Sequence, residues 1–484
     1  MIQEPNRIFD VAVIGAGVCG SAIARQLCMH DLDTVLLEKE ADVSFGTSKA
    51  NSGIIHGGFH HPAGMLKSLL ERDGALAFDR LHDELGFPFK RCGILVAAMH
   101  PDEMKTVEHL YRQGLENGAP GLELCSRDRM LLLEPKLSHE VVGGLFAPQG
   151  GIIEPYRFVF SLVEHAIANG LTLAVNFPVV SAVRETGNPA PHWRIRSASG
   201  TEVRARYAVN AAGLFADSVS RSFGAEDFTI HARKGEYFLL DRLSPAIPDR
   251  VVFPVPSGVS KGMLVIPTVE GTCLLGPTAE AVEDKQDLST SNEQLARIVA
   301  SARTLVPTVS ERDVITSFAG LRPVLGDDFY IDLSKIVPSF VQVAGIQSPG
   351  LTASPAIASF VLDLLRSAGL ECSPKKTVVP LAPRLRIRDI PPEKRQAFIE
   401  QDPLRGRIIC RCEEVSEAEI VEAIRRGHTT LDGIKFYTRS QMGRCQGGFC
   451  SYKIIRIIMR ETGMSFDCIT KRGGKSRVLE SELR

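Results

Sequence analysis

Four cysteines in the last quarter of the chain are spaced so that they could share a metal centre. Cys410 and Cys412 are separated by one residue, and Cys445 and Cys450 follow further on. On an extended segment, thiols two residues apart point to the same side. Four thiolates are the ligand set of a [2Fe–2S] cluster. Zinc takes the same ligands but usually from C-x₂₋₄-C pairs, which the first pair is not.

The second pair encloses Gly447 and Gly448, which would let backbone N–H groups approach a sulfur and stabilise its negative charge. We therefore predict an iron–sulfur cluster held by Cys410, Cys412, Cys445 and Cys450. A zinc site and a metal-free structural remnant stay open as alternatives, and a disulfide is the weakest of them.

The amino-terminal region carries a dinucleotide-binding pattern. An apolar run at Phe9–Ile14 predicts a buried strand, and a helical run follows at Ser21–Met29. Between them, Gly15 permits a tight turn, Gly17 lets the backbone approach a pyrophosphate, and Gly20 allows the helix to pack on the strand. The helix N-terminus supplies N–H donors for the anion.

A second predicted strand, Thr34–Leu37, ends at Glu38. An acidic residue about 20 positions after the glycine turn is placed to accept hydrogen bonds from a ribose diol. Strand, turn, helix, strand and acid in this order are more specific than the glycines alone. FAD and NAD share this pattern, so the following segment has to distinguish them.

That segment favours FAD, because small polar residues and glycines could bring hydroxyls and N–H groups to a second phosphate and a flavin ring. Two later predicted strands, near 207–210 and 341–344, also end in glycine, where open α/β sheets bind ligands. The predicted FAD-binding residues beyond the fingerprint and Glu38 are Thr47, Ser48, Asn51, Ser52, Gly53, Gly213, Gly345, Gly350, Leu351 and Thr352.

From about residue 8 to 370 the chain resembles FAD-dependent oxidoreductases built on the D-amino-acid-oxidase plan. The run 51–58 and the stretch Lys234–Tyr237 are most similar to the L-2-hydroxyglutarate dehydrogenase type. The run 409–450 resembles a bacterioferritin-associated-ferredoxin-like [2Fe–2S] module, as in the large subunit of anaerobic glycerol-3-phosphate dehydrogenase. The resemblance therefore implies FAD and a [2Fe–2S] cluster, and its two halves indicate different substrates.

The predicted fold class is α/β, with a Rossmann-like FAD-binding domain, an interleaved strand-rich substrate cap and a small C-terminal helical [2Fe–2S] domain. FAD-binding parts are expected at about 1–79, 156–224 and 321–370, and the cap at about 80–155 and 225–320. A stiff, extended linker rich in proline and basic residues is expected at 371–407, and the cluster domain at 408–484. The linker arginines could dock the cluster domain or form a face for an acidic partner.

Removal of hydride from an alcohol needs a base for the hydroxyl proton and a cation that holds an anionic substrate. His56 is the predicted base, and His60 or His61 could take its place. Arg322 lies in a segment that resembles the family's substrate-carboxylate arginine, and its guanidinium suits a carboxylate or phosphate. Lys67 and Lys234 are weaker candidates for the anion site.

Composition excludes several classes of function. A net charge of −1 offers no general attraction to nucleic acid or anionic membranes. No stretch approaches the roughly 20 apolar residues of a membrane-spanning helix, and the first seven residues lack the apolar core of a secretory signal. The chain is expected to be cytoplasmic, with attachment to the inner membrane only through a partner. Eleven cysteines, seven of them scattered outside the predicted cluster, suit a reducing compartment.

These features predict a dehydrogenase for a small anionic alcohol, either a 2-hydroxy acid such as L-2-hydroxyglutarate or glycerol 3-phosphate. Electrons would leave one at a time through the cluster to redox partner subunits or an acceptor protein. Two alternatives stay open. One is the oxidation of a secondary amine such as an opine, and the other is an electron-transfer subunit whose substrate pocket is vestigial.

Overall fold

The computed structural model describes residues 7–186, 191–256 and 262–478. Residues 1–6 and 479–484, which the predicted terminal domains include, lie outside the described residues. None of the helices formed by the described residues is long and apolar enough to cross a membrane.

The helices are α1 Val18–Cys28, α2 Leu66–Leu85, α3 Met104–Glu116, α4 Arg127–Leu133, α5 Pro155–Ala168, α6 Ala216–Ser222, α7 Asn292–Leu305, α8 Gly350–Ser367, α9 Pro392–Gln401, α10 Glu417–Arg425, α11 Leu431–Thr438 and α12 Ser451–Thr462. The strands are β1 Ile8–Ile14, β2 Thr34–Leu37, β3 Ile54–Ile55, β4 Phe89–Lys90, β5 Ile94–Ala98, β6 Glu123–Ser126, β7 Gly143–Ala147, β8 Gly151–Ile153, β9 Thr172–Ala174, β10 Val179–Glu185, β11 His192–Ser197, β12 Glu202–Asn210, β13 His231–Leu240, β14 Val251–Pro254, β15 Leu264–Pro267, β16 Cys273–Gly276, β17 Glu280–Val282, β18 Val314–Val324, β19 Tyr330–Leu333, β20 Phe340–Ala344, β21 Ile408–Cys410 and β22 Val415–Ser416.

The first large sheet holds the dinucleotide-binding pattern. Its order is β10-β11-β12-β1-β2-β9, and β20 also pairs with β12 and with β19. The strands β9, β2, β1, β12 and β20 run parallel, so their carboxyl ends meet at one edge. Helices α1, α5 and α8 pack together beside these strands, and their apolar faces belong to one continuous core.

The second large sheet forms the strand-rich cap. Its order is β17-β13-β16-β15-β14-β5-β7-β6, with β18 on the other edge of part of β13. Its strands come from two separate chain segments, 94–147 and 231–324, which alternate with the segments of the first sheet. In the antiparallel pair β13–β18, Arg233 lies directly opposite Arg322.

The prediction of a stiff, extended connector at 371–407 was wrong for its second half. Pro392–Gln401 forms a helix, with Pro391 as its N-cap and Pro392 in its first turn. Proline is favoured at the first helical position because its missing N–H has no partner there in any case. A run of prolines therefore started a helix where we expected extended chain.

The cluster domain is built from α10, α11 and α12 with the short pair β21–β22. Ser416 caps α10 in a reciprocal arrangement: its hydroxyl accepts from Glu419 N, and the Glu419 carboxylate accepts from Ser416 N. The buried apolar residues of these helices belong to the same core as α1, α5 and α8. The cluster domain is thus packed on the FAD-binding part rather than tethered to it.

Candidate active site and cluster site

A cavity of about 1310 Å³ is lined by residues of both large sheets. Its volume suits a ligand larger than most small substrates, since ordinary ligand pockets measure roughly 300–1,000 Å³. The predicted site residues that line it are Gly15, Gly17, Glu38, Thr47, Ser48, Asn51, Ser52, His56, Gly213, Arg322, Gly350 and Leu351.

Four predicted FAD-binding residues do not line the cavity but pack against residues that do, namely Gly20, Gly53, Gly345 and Thr352. Thr352 accepts a hydrogen bond from His56 N at 3.0 Å. A Cβ on Gly20 would lie 1.9 Å from Gly15 O, so only glycine lets α1 approach the turn this closely. Gly53 packs against the Ile153 carbonyl and Gly345 against Leu325.

Glu38 lies at the end of β2 and fixes the glycine turn. Its Oε2 accepts from Ala16 N at 2.7 Å, and its Oε1 accepts from Glu40 N at 2.9 Å. Burial raises the pKa of this carboxyl, although both N–H donors act in the opposite direction. The carboxylate therefore has fixed partners on its protein side and faces the cavity where a ribose diol would bind.

The polar loop after β2 is anchored near its start to two other parts of the chain. Ser48 Oγ accepts from Val18 N at 2.8 Å, at the first turn of α1, and Thr47 Oγ1 donates to Leu321 O at 2.6 Å on β18. Asn51 Oδ1 accepts from Gly53 N at 2.9 Å within the loop. The loop thus joins the helix N-terminus to the cap sheet, and its hydroxyls line the cavity. These residues fit the phosphates and the ring system of FAD.

His56 is the best-placed of the three histidines. Its side chain is 7% exposed, lines the cavity, and has Nε2 3.2 Å from Ser348 Oγ. His61 also lines the cavity, whereas His60 packs between the rings of Phe59 and Phe253 at centroid distances of 4.1 and 5.0 Å.

Arg322 and Arg233 both line the cavity from opposite strands. Like charges that face each other across two strands repel, so an anion bound between the two guanidinium groups would offset their repulsion. The Arg322 guanidinium passes over Gly235 and donates from Nη2 to Thr278 O at 3.0 Å. Lys67 lines the cavity too, and its ammonium donates to Asp327 O.

Lys234, the other weaker candidate, is placed differently. Its ammonium lies 2.8 Å from Asp287 Oδ2, and the residue is not among those that line the cavity in the described part of the chain. Its side chain therefore makes an ion pair, and the structure does not bring it to the cavity with the other candidates for the anion site.

Sequence reasoning missed several cations that line the cavity, namely Arg233, Lys49 and the basic turn Arg472–Ser476. Lys49 adjoins the predicted loop residues Thr47 and Ser48, which was the available signal. The turn combines two glycines with flanking basic residues but lies in the cluster domain, far away in sequence.

The four predicted cluster cysteines lie together as two pairs. Cys412 Sγ is 3.7 Å from Cys445 Sγ, and the Cys410 and Cys450 thiols are hydrogen-bonded to each other. Each pair combines one thiol of the first segment, Cys410–Cys412, with one thiol of the second, Cys445–Cys450. The bond from Cys450 lowers the pKa of Cys410 to about 6, despite burial, and nearby backbone N–H groups act in the same direction.

Backbone N–H groups also face Cys445. Burial raises the pKa of this thiol, but hydrogen bonds with the Phe449 N–H, the Cys412 thiol and the Gly447 N–H outweigh it and leave the pKa lowered. Such donors stabilise thiolate, the form that binds iron. No group of three or more His, Cys, Asp or Glu side chains is arranged around one metal-ion position in residues 7–186, 191–256 and 262–478. Pairing in twos suits two irons better than a single tetrahedral zinc.

The cluster domain is fixed to the rest of the chain by buried charges. We call the following residues the arginine–glutamate network: Arg242, Arg386, Arg388, Arg439, Glu154, Glu270 and Glu413. Its members come from the cap, the connector, the FAD-binding part and the cluster domain. Glu413 follows the cluster cysteine Cys412, and Arg242 also donates to the Cys412 carbonyl at 3.3 Å. The network thus reaches the cluster site directly.

A second contact joins the cluster domain to the loop after β2. His428 Nδ1 lies 2.7 Å from Asp42 Oδ2, and the rings of Phe436 and Phe45 are 6.1 Å apart. Tyr156 contacts Phe436 from the other side, at 5.1 Å between ring centroids. The cluster domain therefore lies against the segment that lines the FAD cavity.

Fold and site together define an FAD-dependent oxidoreductase with an attached [2Fe–2S] domain. The family model described as FAD dependent oxidoreductase, DAO, matches residues 10–364, and the BFD-like [2Fe-2S] binding domain matches residues 408–460. The chain belongs to the DAO family of FAD-dependent oxidoreductases. The predicted fold class and both predicted cofactors are confirmed.

Among curated relatives, the chain is 41% identical over 476 residues to a glycerol 3-phosphate dehydrogenase of Caloramator mitchellensis, with 98% of each chain covered. It is 26% identical to the human mitochondrial L-2-hydroxyglutarate dehydrogenase, over 73% of this chain and 88% of that one. Among solved structures, the FAD-bound L-alpha-glycerophosphate oxidase of Mycoplasma pneumoniae matches with a TM-score of 0.73 and 28% identity, covering 78% of this chain and 100% of that one.

Proposed function

We propose that this enzyme oxidises glycerol 3-phosphate and exports the electrons through its [2Fe–2S] cluster to a separate acceptor. The observation that carries the proposal is the 41% identity to the Caloramator glycerol 3-phosphate dehydrogenase over 98% of both chains, cluster domain included. Two Mycoplasma glycerol 3-phosphate oxidases also match, over 74% of this chain. The cavity supports an anionic substrate, because several cations line it.

The side chains divide the work of the reaction. His56 accepts the proton of the substrate hydroxyl as the C–H bond next to it breaks. Arg322, with Arg233 opposite and Lys67 nearby, binds the phosphate by charge-assisted hydrogen bonds. Bound FAD supplies the acceptor for the hydride, so the alcohol becomes a ketone. The Ser348 hydroxyl, 3.2 Å from His56 Nε2, helps to orient the imidazole.

The test is reduction of the flavin without oxygen. Glycerol 3-phosphate, L-2-hydroxyglutarate, lactate and an N-methyl amino acid are added separately to the anaerobic holoenzyme, and the flavin absorption is followed. We expect glycerol 3-phosphate to bleach the flavin at the lowest concentration. Bleaching by the N-methyl amino acid alone would contradict the proposal and favour a secondary-amine dehydrogenase. Bleaching by none of the four would contradict it and favour an electron-transfer subunit with a vestigial substrate pocket.

L-2-hydroxyglutarate is the second candidate substrate. The matching L-2-hydroxyglutarate dehydrogenases are 25–28% identical over 73–74% of this chain. Arg322 and Arg233 suit a carboxylate as well as a phosphate, since the guanidinium binds both through paired hydrogen bonds. The same titration separates the two substrates, because only the preferred one should give fast reduction at low concentration.

Electron export is supported by exposed residues next to the cluster cysteines, although Cys410 and Cys450 are themselves buried. Phe449, next to Cys450, is 83% exposed, and Tyr452 is 61% exposed, so an acceptor could approach the cluster closely. The proposal includes an acceptor protein, through which the enzyme would be attached to the inner membrane.

Replacement of one cluster cysteine tests this route. In Cys445→Ser, glycerol 3-phosphate should still bleach the flavin, but the cluster absorption and its reduction should be lost. Cys468→Ser is the matched control, because Cys468 is an exposed cysteine outside the cluster site. Full transfer of electrons to a protein acceptor by Cys445→Ser would show that the cluster is not the exit.

A further inference from the structure

A closed basic turn lies near the end of the described part of the cluster domain. Thr470 and Arg477 pair with each other at its base, and the start of α11 holds it, since Asp432 N donates to Lys471 O at 2.7 Å and Leu431 N to Thr470 O at 3.1 Å. Arg472 N and Gly473 N donate within the turn to Ser476 Oγ and Thr470 Oγ1. The turn therefore has a defined shape fixed by hydrogen bonds to its own domain.

This turn lines the FAD cavity. Arg472–Ser476 face the same space as Glu38–Ala41, and a Cβ on Gly473 would come within 2.4 Å of the Ala41 Cβ. Glu38 marks the end of the cavity where the adenosine ribose of a dinucleotide binds. The turn thus lies at the adenosine end, although it belongs to another domain.

The charges at this end favour an anion. Lys49 also lines the cavity, and burial lowers the pKa of its ammonium to about 8, although Asp432 and Glu40 act in the opposite direction. The carboxylates at this end have partners of their own, since Glu40 pairs with Lys39 and Glu38 accepts two backbone hydrogen bonds. Neither Arg472 nor Lys475 has an ion-pair partner among the residues that the structure describes. Three cations gathered at one end of a dinucleotide cavity are complementary to a diphosphate.

We propose that the Arg472–Ser476 turn is part of the FAD-binding site, with Arg472 and Lys475 binding the adenosine diphosphate half of the cofactor. FAD then bridges two domains. Because a ligand that binds only the docked arrangement stabilises that arrangement, FAD binding and the docking of the cluster domain strengthen each other. The cofactor would therefore help to hold the cluster domain on the FAD-binding part.

The first experiment compares FAD affinities of full-length protein with the cluster intact. FAD is removed and titrated back while its fluorescence is followed, in wild type, Arg472→Ala/Lys475→Ala and Lys105→Ala/Arg112→Ala. The last variant removes the same charge from exposed positions on α3 outside the cavity. We expect the turn variant to raise the Kd about tenfold or more, and the control to change it less than about twofold.

Equal iron and sulfide content in the three proteins shows that the cluster domain stays folded. A Kd of the turn variant equal to that of the control would overturn the proposal. Trypsin gives a second readout on the unaltered chain, because the turn contains Arg472 and Lys475. FAD should slow cleavage after these residues, and a cleavage rate independent of FAD would also overturn it.

Discussion

His56 is held in place by two hydroxyl groups on either side of the start of α8. Thr352 accepts from its backbone N–H at 3.0 Å, and Ser348 Oγ lies 3.2 Å from Nε2. A proton acceptor in a redox site needs this fixed orientation, since transfer depends on hydrogen-bond distance. The neighbour His60 is used for packing instead, between Phe59 and Phe253.

His56→Gln should lower kcat by about 10²- to 10⁴-fold, because general-base catalysis contributes on this scale. FAD content should stay normal, since the backbone N–H of residue 56 still donates to Thr352. Steady-state rates with an artificial electron acceptor measure the effect. His61→Gln is the control, as His61 also lines the cavity. A large loss in His61→Gln with none in His56→Gln would assign the base to His61.

Arg322→Lys should raise KM about 10- to 100-fold with a smaller effect on kcat, because a lysine keeps the charge but loses the paired hydrogen bonds. The comparison variant is Arg196→Lys, at an exposed position on β11. If KM stays unchanged in Arg322→Lys, the anion is held by Arg233 or Lys67 rather than by Arg322.

At the residue scale, the sequence predicted those site residues that lie within a local motif. The glycine turn, Glu38 and the loop from Thr47 to Gly53 are consecutive or at fixed spacing, so their position at the cavity follows from short-range geometry, and their roles in binding FAD stay predictions. Arg233 escaped prediction because it enters the cavity only through its pairing with Arg322 across β13 and β18. Lys234 was chosen instead, one residue away and facing Asp287.

At the scale of elements, the connector at 371–407 does more than link the FAD-binding part to the cluster domain: its arginines form ion pairs with both. Arg386 and Arg388 bind Glu270 of the cap at 2.7 and 2.9 Å, and Arg388 also reaches Glu413 of the cluster domain at 3.3 Å. Arg384 binds Glu164 on α5. The basic residues of this segment therefore dock the cluster domain, which was one of the two roles expected of them.

Glu270 should make stability depend on pH. Burial alone would raise its pKa, but Arg439, Arg386 and Arg388 outweigh this and lower the pKa to about 2. A carboxyl with a lowered pKa in the folded state stabilises the fold above its unfolded value of 4.5, and this contribution is lost as the pH falls from there towards 2. Acid should thus weaken the arginine–glutamate network.

Glu270→Gln tests this by denaturant unfolding at several pH values. Near neutral pH the variant should be less stable by about 3 kcal/mol, since removing one partner leaves buried arginines uncompensated. The difference from wild type should shrink as the pH falls below 4.5. A difference that is constant with pH would mean that the Glu270 charge does not contribute. Acid loss of the cluster affects both proteins and cancels in the comparison.

At the element scale, patterns within one strand or helix were sufficient, and patterns between elements were not. The predicted strands Phe9–Ile14 and Thr34–Leu37 and the predicted helical run Ser21–Met29 follow from local apolar patterns, and the structure forms strands and a helix there. The order of the cap sheet has no such signal, because β5 and β14 pair in parallel although more than a hundred residues separate them. The helix at Pro392–Gln401 was missed because the proline-rich segment was interpreted as extended chain.

Considered as a whole molecule, the described chain has several apolar cores, and the largest of them crosses the boundary between the FAD-binding part and the cluster domain. Val11 and Leu36 of the first sheet belong to the same buried group as Ile420, Ile434 and Ile454 of the cluster domain. Continuous burial of this kind couples the unfolding of the two parts, since exposing one face exposes the other.

The holoenzyme should therefore unfold in a single transition. Far-UV circular dichroism, flavin fluorescence and cluster absorption, followed during the same denaturant titration, should give coincident midpoints. Loss of the cluster signal at clearly lower denaturant, with the flavin signal intact, would show that the cluster domain unfolds alone and that the shared core does not couple the parts.

The buried arginine–glutamate network also limits how freely such a cluster domain can be exchanged between enzymes. Arg439 is 5% exposed and Glu413 is 2% exposed, and both depend on carboxylates and guanidinium groups supplied by other parts of the chain. Grafted onto a flavoprotein without those counterparts, the domain would keep its internal Arg439–Glu413 pair but lose the partners from the rest of the chain, and its buried charges would be only partly compensated. A flavin domain and a cluster domain are thus compatible only if the charges at their interface match. A working chimaera would have to include the interface residues of both domains.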